Sequence, residues 1–161
     1  MSPVKRAATL KRLVTALAIV MGVFAGADVG HAQVTAAVSD ADLRYQTLWF
    51  ECVSQLQILA LRTGLDAAKP SDTAVAAMVG ATDGLEKALV GLMQIEAPPV
   101  EAARLHMTVV LRLQEVVGAA RDAIDALQKK DAVATEAALQ WLDDALNDTN
   151  ATMMRAVRGK F

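Results

Sequence analysis

Residues 99–129 have the sequence PVEAARLHMTVVLRLQEVVGAARDAIDALQK, and this stretch decides the class of fold. Its apolar residues recur at helical spacing on one side: Ala102, Val109, Leu113, Val116, Val117, Ala120, Ile124 and Leu127. The polar residues on the other side are Arg104, Thr108, Arg112, Glu115 and Asp122. A one-sided pattern with a period of about 3.6 residues is typical of a helix that buries one face. We therefore predict an amphipathic helix over this stretch.

Three more helical segments flank it, at about residues 42–63, 71–96 and 131–158. The predicted N-caps are Ser39, Asp40 or Asp42 for the first, Ser71 for the second and Asp131 for the last. Gly64 suits the position after the first helix, and Pro98 and Pro99 stop the second. Short links make consecutive helices antiparallel, so the sequence predicts an all-α, up-down-up-down four-helix bundle over residues 33–161.

The second and fourth segments carry stripes of their own. The stripe of the second is Val75, Met78, Thr82, Leu85, Leu89 and Leu92, and that of the fourth is Leu139, Leu142, Leu146, Asn150, Met153 and Val157. Gly80 and Gly84 lie four residues apart in the second segment. They either allow a neighbouring helix to approach closely or only weaken their own helix, by about 1 kcal/mol each.

The N-terminus has the pattern of a secretory signal peptide. Lys5, Arg6, Lys11 and Arg12 are followed by an uncharged, largely apolar stretch over residues 13–27, too short to span a bilayer. Small residues then favour cleavage after Ala32, with Ala27 as the alternative, and a retained anchor is the other interpretation. We expect residues 1–32 to be removed and the remainder to be soluble, in the periplasm of a bacterium or secreted.

Composition narrows the functional classes. Residues 33–161 carry 12 basic and 17 acidic side chains, a net charge of −5, with no basic stripe. This charge argues against a nucleic-acid or anionic-lipid partner. Cys52 is the only cysteine, so no disulfide can form within the chain.

The motifs of common helical-bundle enzymes and cofactor proteins are absent from the sequence. It contains no Glu-x-x-His, Cys-x-x-Cys-His, His-Glu-x-x-His or Gly-x-Ser-x-Gly. We therefore predict no enzyme, no metal site and no cofactor. The acidic residues Asp143, Asp144 and Asp148, with Asn147, lack the loop spacing of a calcium site and indicate a solvated helix face.

One set of inward-facing residues is a candidate ligand site. His106 falls within the apolar face of the third segment, Met153 within that of the fourth, and Cys52 faces inward on the first. These three side chains suit a soft ion such as Cu(I), and His with Met can also ligate haem. The structural interpretation is a buried histidine, a gap-filling methionine and an inert core cysteine, and it is the one we favour.

The first segment is apolar on too many sides for a bundle helix. Its main stripe is Tyr45, Leu48, Trp49, Cys52, Val53, Leu56, Leu59 and Ala60. A second set, Leu43, Phe50, Ile58 and Leu61, lies away from the centre of that stripe. An apolar patch on a small soluble protein is typical of a partner surface, most simply a two-fold dimer. The alternative is that residues 33–41, or the link to the second segment, cover it.

These observations predict an exported bundle that binds a protein partner or a second copy of itself. The alternative function is a carrier that holds a small ligand, haem or a soft metal in the bundle core. The identity of a partner or ligand does not follow from the sequence.

Overall fold

The structure, a computed structural model, describes residues 39–65, 69–98 and 100–157. These residues form four helices and no strand: α1 (Asp40–Arg62), α2 (Asp72–Met93), α3 (Val100–Lys129) and α4 (Ala132–Val157). The prediction of an all-α four-helix fold is confirmed. The predicted signal peptide, residues 1–32, lies outside the described residues.

The helix starts agree with the predicted N-caps. Ser39 Oγ accepts a hydrogen bond from the Asp42 backbone N–H at 3.1 Å, and Ser71 Oγ accepts one from that of Ala74 at 3.4 Å. Asp131 Oδ1 accepts from the N–H groups of residues 133 and 134, at 3.1 and 3.0 Å. Each cap satisfies backbone donors that have no partner within the helix.

The C-terminal ends of α2 and α3 each have a specific structural cause. The α2 helix ends at Met93 rather than near Glu96, because Ile95 turns back and packs against the core. Lys130 ends α3 with a φ of 56°, and the next backbone N–H, of Asp131, reaches the Ala126 carbonyl at 3.2 Å. This hydrogen bond belongs to a helix-ending turn that usually contains glycine, since a β-carbon disfavours positive φ.

Contacts between consecutive helices run antiparallel. Along α2 and α3, the Glu86 carboxylate pairs with Arg121, and the Met93 sulphur lies 3.8 Å from the Gln114 amide nitrogen. Residue numbers thus rise on α2 as they fall on α3. In the same way α4 returns along α3, since Thr149 Oγ1 lies 3.5 Å from the carbonyl oxygen of residue 112. The α1 and α4 helices contact each other far less than consecutive helices do.

A single apolar cluster fills the space between the helices. The predicted stripes of α2, α3 and α4 face it, with Val75, Ala102 and Ile124 at its edge. Asn150 is half-buried, and the side chain of Val157 lies outside the described set. The largest fully buried members of the apolar cluster are Tyr45, Leu59, Met78, Leu85, Leu92, Leu113 and Leu142. Burial of these stripes holds the helices together, since no disulfide is available.

Glycines bring α1 and α2 together, although not at both predicted positions. A β-carbon at Gly84 would lie 2.9 Å from the Gln55 side chain, so close approach is found there. At Gly80 a β-carbon would meet nothing within 4 Å, and this residue is exposed. The closest approach is at Gly91, where a β-carbon would lie 2.7 Å from Leu48 Cδ2.

Candidate functional site

The α1 helix buries one side completely. Its buried residues are Tyr45, Trp49, Cys52, Val53, Leu56 and Leu59, all from the predicted main stripe. Leu48 and Ala60, at the margins of the stripe, are partly buried and pack against the core. Contacts with the rest of the bundle are therefore supplied by this side of α1.

Three of the four predicted interface residues are exposed. Leu43 is 50% exposed, Phe50 39% and Leu61 55%. Ile58 was predicted to face water with them, and this is wrong: it is half-buried and packs against the core. Ile58 is three residues from Gln55, whose side chain approaches Gly84, so it lies on the side of α1 that faces α2.

We call Leu43, Thr47, Phe50, Ser54, Gln57 and Leu61 the outer face of α1. All except the half-buried Gln57 are exposed. Their spacing alternates between four and three residues, which is the spacing of helices that pack side by side in coiled coils. Thr47 donates its hydroxyl to the Leu43 carbonyl at 2.8 Å, so this polar residue is satisfied within the helix. The outer face thus has helix-packing spacing, and five of its six residues are exposed.

The structure shows further exposed apolar side chains that sequence analysis did not single out. They are Val90, Met93, Met107, Leu111, Val133 and Trp141. Each lies off the main stripe of its helix, so a helical-wheel count of these residues would have found them. Met107 and Leu111 share one face of α3 at 62% and 54% exposure. This face of α3 is a second exposed apolar surface, and it serves below as the control for the outer face of α1.

Tyr45, Trp49 and His106 form a buried aromatic cluster between α1 and α3. The ring centroids of Tyr45 and Trp49 are 6.3 Å apart and nearly parallel, and those of Tyr45 and His106 are 5.8 Å apart and tilted. His106 is 7% exposed, as its place in the α3 stripe predicts. Burial lowers the pKa of the His106 imidazole below its usual value, so the ring is neutral at neutral pH.

Trp49 carries a buried polar atom with no partner. Its indole Nε1 is inaccessible to solvent and makes no hydrogen bond to any residue that the structure describes. An unsatisfied buried donor costs about 1–3 kcal/mol. The unpartnered indole N–H is not predictable from the sequence, because hydrogen-bond partners of a core residue come from other helices.

Cys52, His106 and Met153 are all buried in the core, as predicted. Burial, and then the neighbouring Glu51 carboxylate, raise the pKa of the Cys52 thiol to about 12. The thiol of the metal-free protein therefore stays protonated at neutral pH. No group of three or more His, Cys, Asp or Glu side chains suited to a metal ion occurs within residues 39–65, 69–98 and 100–157.

The acidic residues of α4 have partners in the protein. Asp143 accepts hydrogen bonds from Thr63 at 3.4 Å and from Asn147 at 3.3 Å. Asp144 accepts one from the Gln140 amide at 3.0 Å, and the Asp148 carboxylate lies 3.9 Å from the guanidinium of residue 112. These contacts are those of a polar helix face and agree with the sequence interpretation.

Comparison of the chain with protein-family models, with curated proteins and with solved structures finds no match in any of the three. Across the part of the chain that the structure describes, none of the helices is both long and apolar enough for a bilayer span.

Proposed function

We propose that this protein is an exported, up-down-up-down four-helix bundle that acts as a self-associating interaction module without enzymatic activity. Its proposed binding surface is the outer face of α1. The proposal includes removal of residues 1–32 and a periplasmic or secreted location, for which the N-terminal sequence pattern is the support. The partner is a protein, a second copy in the simplest case, rather than nucleic acid or a membrane.

One observation carries the proposal. Leu43, Phe50 and Leu61 are exposed on a single helical face, although α1 already buries a complete stripe on its other side. Covering these side chains with an apolar surface would remove them from water, and this is the main driving force for association. Polar Thr47 and Ser54 between them keep the uncovered surface compatible with a soluble monomer.

The test replaces two outer-face residues with charges. The Phe50→Lys, Leu61→Glu double variant should keep its helical circular dichroism, because both side chains are exposed. It should become monomeric in light scattering and sedimentation at concentrations where the unchanged mature protein is dimeric. Placing a charge in an apolar interface without a partner is strongly unfavourable.

Met107→Lys with Leu111→Glu is the matched control, since it adds the same charges to another exposed apolar helix face. We expect this control to remain dimeric. If the unchanged protein is monomeric at high micromolar concentration, self-association is wrong. If the control variant dissociates and the α1 variant does not, the interface lies on α3 and the assignment to α1 is wrong.

A second candidate function is a carrier of a small ligand in the core. The unpartnered Trp49 Nε1, beside the Tyr45–His106 pair, is the observation that favours it, because a ligand acceptor would satisfy this donor. A neutral imidazole and the Met153 thioether would supply haem or soft-metal ligands. An absorption spectrum and metal analysis of periplasmic protein, repeated on His106→Leu, distinguish this carrier from an empty bundle.

A further inference from the structure

We propose that the partner on the outer face of α1 is a second copy of this chain, packed through its own α1 in an antiparallel, two-fold arrangement. The inference rests on the proposed self-association and adds its register. The two-fold axis passes beside residue 52. Leu43 of each copy then lies opposite the other copy's Leu61, Thr47 opposite Gln57, and Phe50 opposite Ser54.

The spacing along the outer face supports this register. Its six positions, 43, 47, 50, 54, 57 and 61, have the same intervals counted from either end. An antiparallel partner centred on residue 52 therefore places a side chain opposite every side chain. The paired side chains also suit each other in polarity and size. Leucine meets leucine, polar Thr47 meets polar Gln57, and bulky Phe50 meets small Ser54. A parallel pair would place Phe50 against Phe50 and leave Ser54 against Ser54.

Charge at the ends of α1 favours the antiparallel direction too. The first turn contains Asp40 and Asp42, and the last turn contains Arg62. Antiparallel pairing brings the acidic end of one helix level with the basic end of the other and opposes their helix dipoles. Parallel pairing would bring acidic ends together.

Once residues 1–32 are removed, the segment before α1 is too short to cover the outer face alone. Leu43 and Leu61 are 18 residues apart, which is about 27 Å along a helix. After cleavage at Ala32, the six residues 33–38 extend to about 20 Å at most. The link between α1 and α2 has only residues 66–68 outside the described set, which is shorter still. A second copy of α1 has the required length.

A charge-pair experiment tests the register in the mature protein. Thr47→Glu and Gln57→Lys are made singly and together, and the dimer dissociation constant of each is measured by sedimentation equilibrium. In the proposed register the double variant forms two Glu–Lys pairs across the interface. Its dissociation constant should be about 2- to 30-fold lower than the single effects combined predict. High salt should reduce this coupling.

The outcomes separate the register from self-association itself. If each single variant already dissociates more readily than the unchanged protein and the two losses add, like charges meet and the helices are parallel. If the two substitutions are simply additive, the residues do not meet and the register is wrong. In both cases disruption by Phe50→Lys with Leu61→Glu still supports self-association. A monomeric unchanged protein overturns both proposals.

Discussion

Replacing Gly91 with alanine measures how closely α1 and α2 pack. A β-carbon there would lie 2.7 Å from Leu48 Cδ2 and 3.1 Å from Leu48 Cδ1. Gly80 lies in the same helix, and a β-carbon there would meet nothing within 4 Å. The two substitutions are chemically identical. The difference between their effects on the free energy of unfolding therefore reports the contact with α1.

The expected magnitudes follow from these distances. Gly80→Ala should raise the free energy of unfolding by about 1 kcal/mol, because alanine is the better helix former. At Gly91 the same gain is offset by overpacking, which costs about 1–3 kcal/mol. Leu48 is half-buried against the core and cannot move away without losing contacts. Gly91→Ala should therefore be neutral or lower the free energy of unfolding by up to about 2 kcal/mol.

Urea denaturation followed by far-ultraviolet circular dichroism is the assay, with thermal melting as a check. A change of 1 kcal/mol corresponds to about 3–6 °C in Tm for a domain of this size. Leu48→Ala in the Gly91→Ala background removes the clashing methyl groups, so it should cost less than Leu48→Ala alone. The packing argument fails if Gly91→Ala stabilises the protein as much as Gly80→Ala does.

Three further predictions concern a helix end, a titrating group and the N-terminus. Lys130→Gly should raise the free energy of unfolding by about 1 kcal/mol in urea denaturation, because glycine accepts the φ of 56° without strain. The unfolded chain protonates His106 near pH 6.5, above the lowered pKa of the folded state. Stability should therefore fall as the pH drops below about 6.5, and His106→Leu should remove this component from urea denaturation compared at pH 7.5 and 5. Intact mass of the periplasmic protein should show the loss of residues 1–32, whereas full-length protein in the membrane fraction would contradict export as a soluble bundle.

Sequence analysis predicted the helices well because helix formation depends on nearby residues. The caps Ser71 and Asp131 act on backbone groups two or three positions away, so their sequence context is sufficient. The α2 stripe from Met78 to Leu92 is buried as predicted, since one period determines which residues share a side. The end of α2 was missed because the packing of Ile95 against the shared core is not contained in the local helical pattern.

The candidate sites were predictable only in part. Helical spacing alone identified Leu43, Phe50 and Leu61 as a second apolar side of α1, and the structure finds them exposed. The same spacing did not predict that Ile58 reaches the core. It placed His106 on a buried face, yet it did not predict that Tyr45 is the ring beside it. Neighbours across helices depend on rotation and separation of the helices, which a single-helix pattern does not contain.

The number of helices, the start of most of them and the apolar side of each follow from the amino-acid sequence, because periodicity and capping are local properties. Which glycine allows close approach depends on the tertiary packing, since a β-carbon at Gly91 would meet Leu48 and one at Gly80 would meet nothing. The same packing leaves the Trp49 indole N–H unpartnered and leaves Leu43, Phe50 and Leu61 exposed. These features depend on how the helices are placed around a shared core, and that placement is set by the packing of all four stripes together.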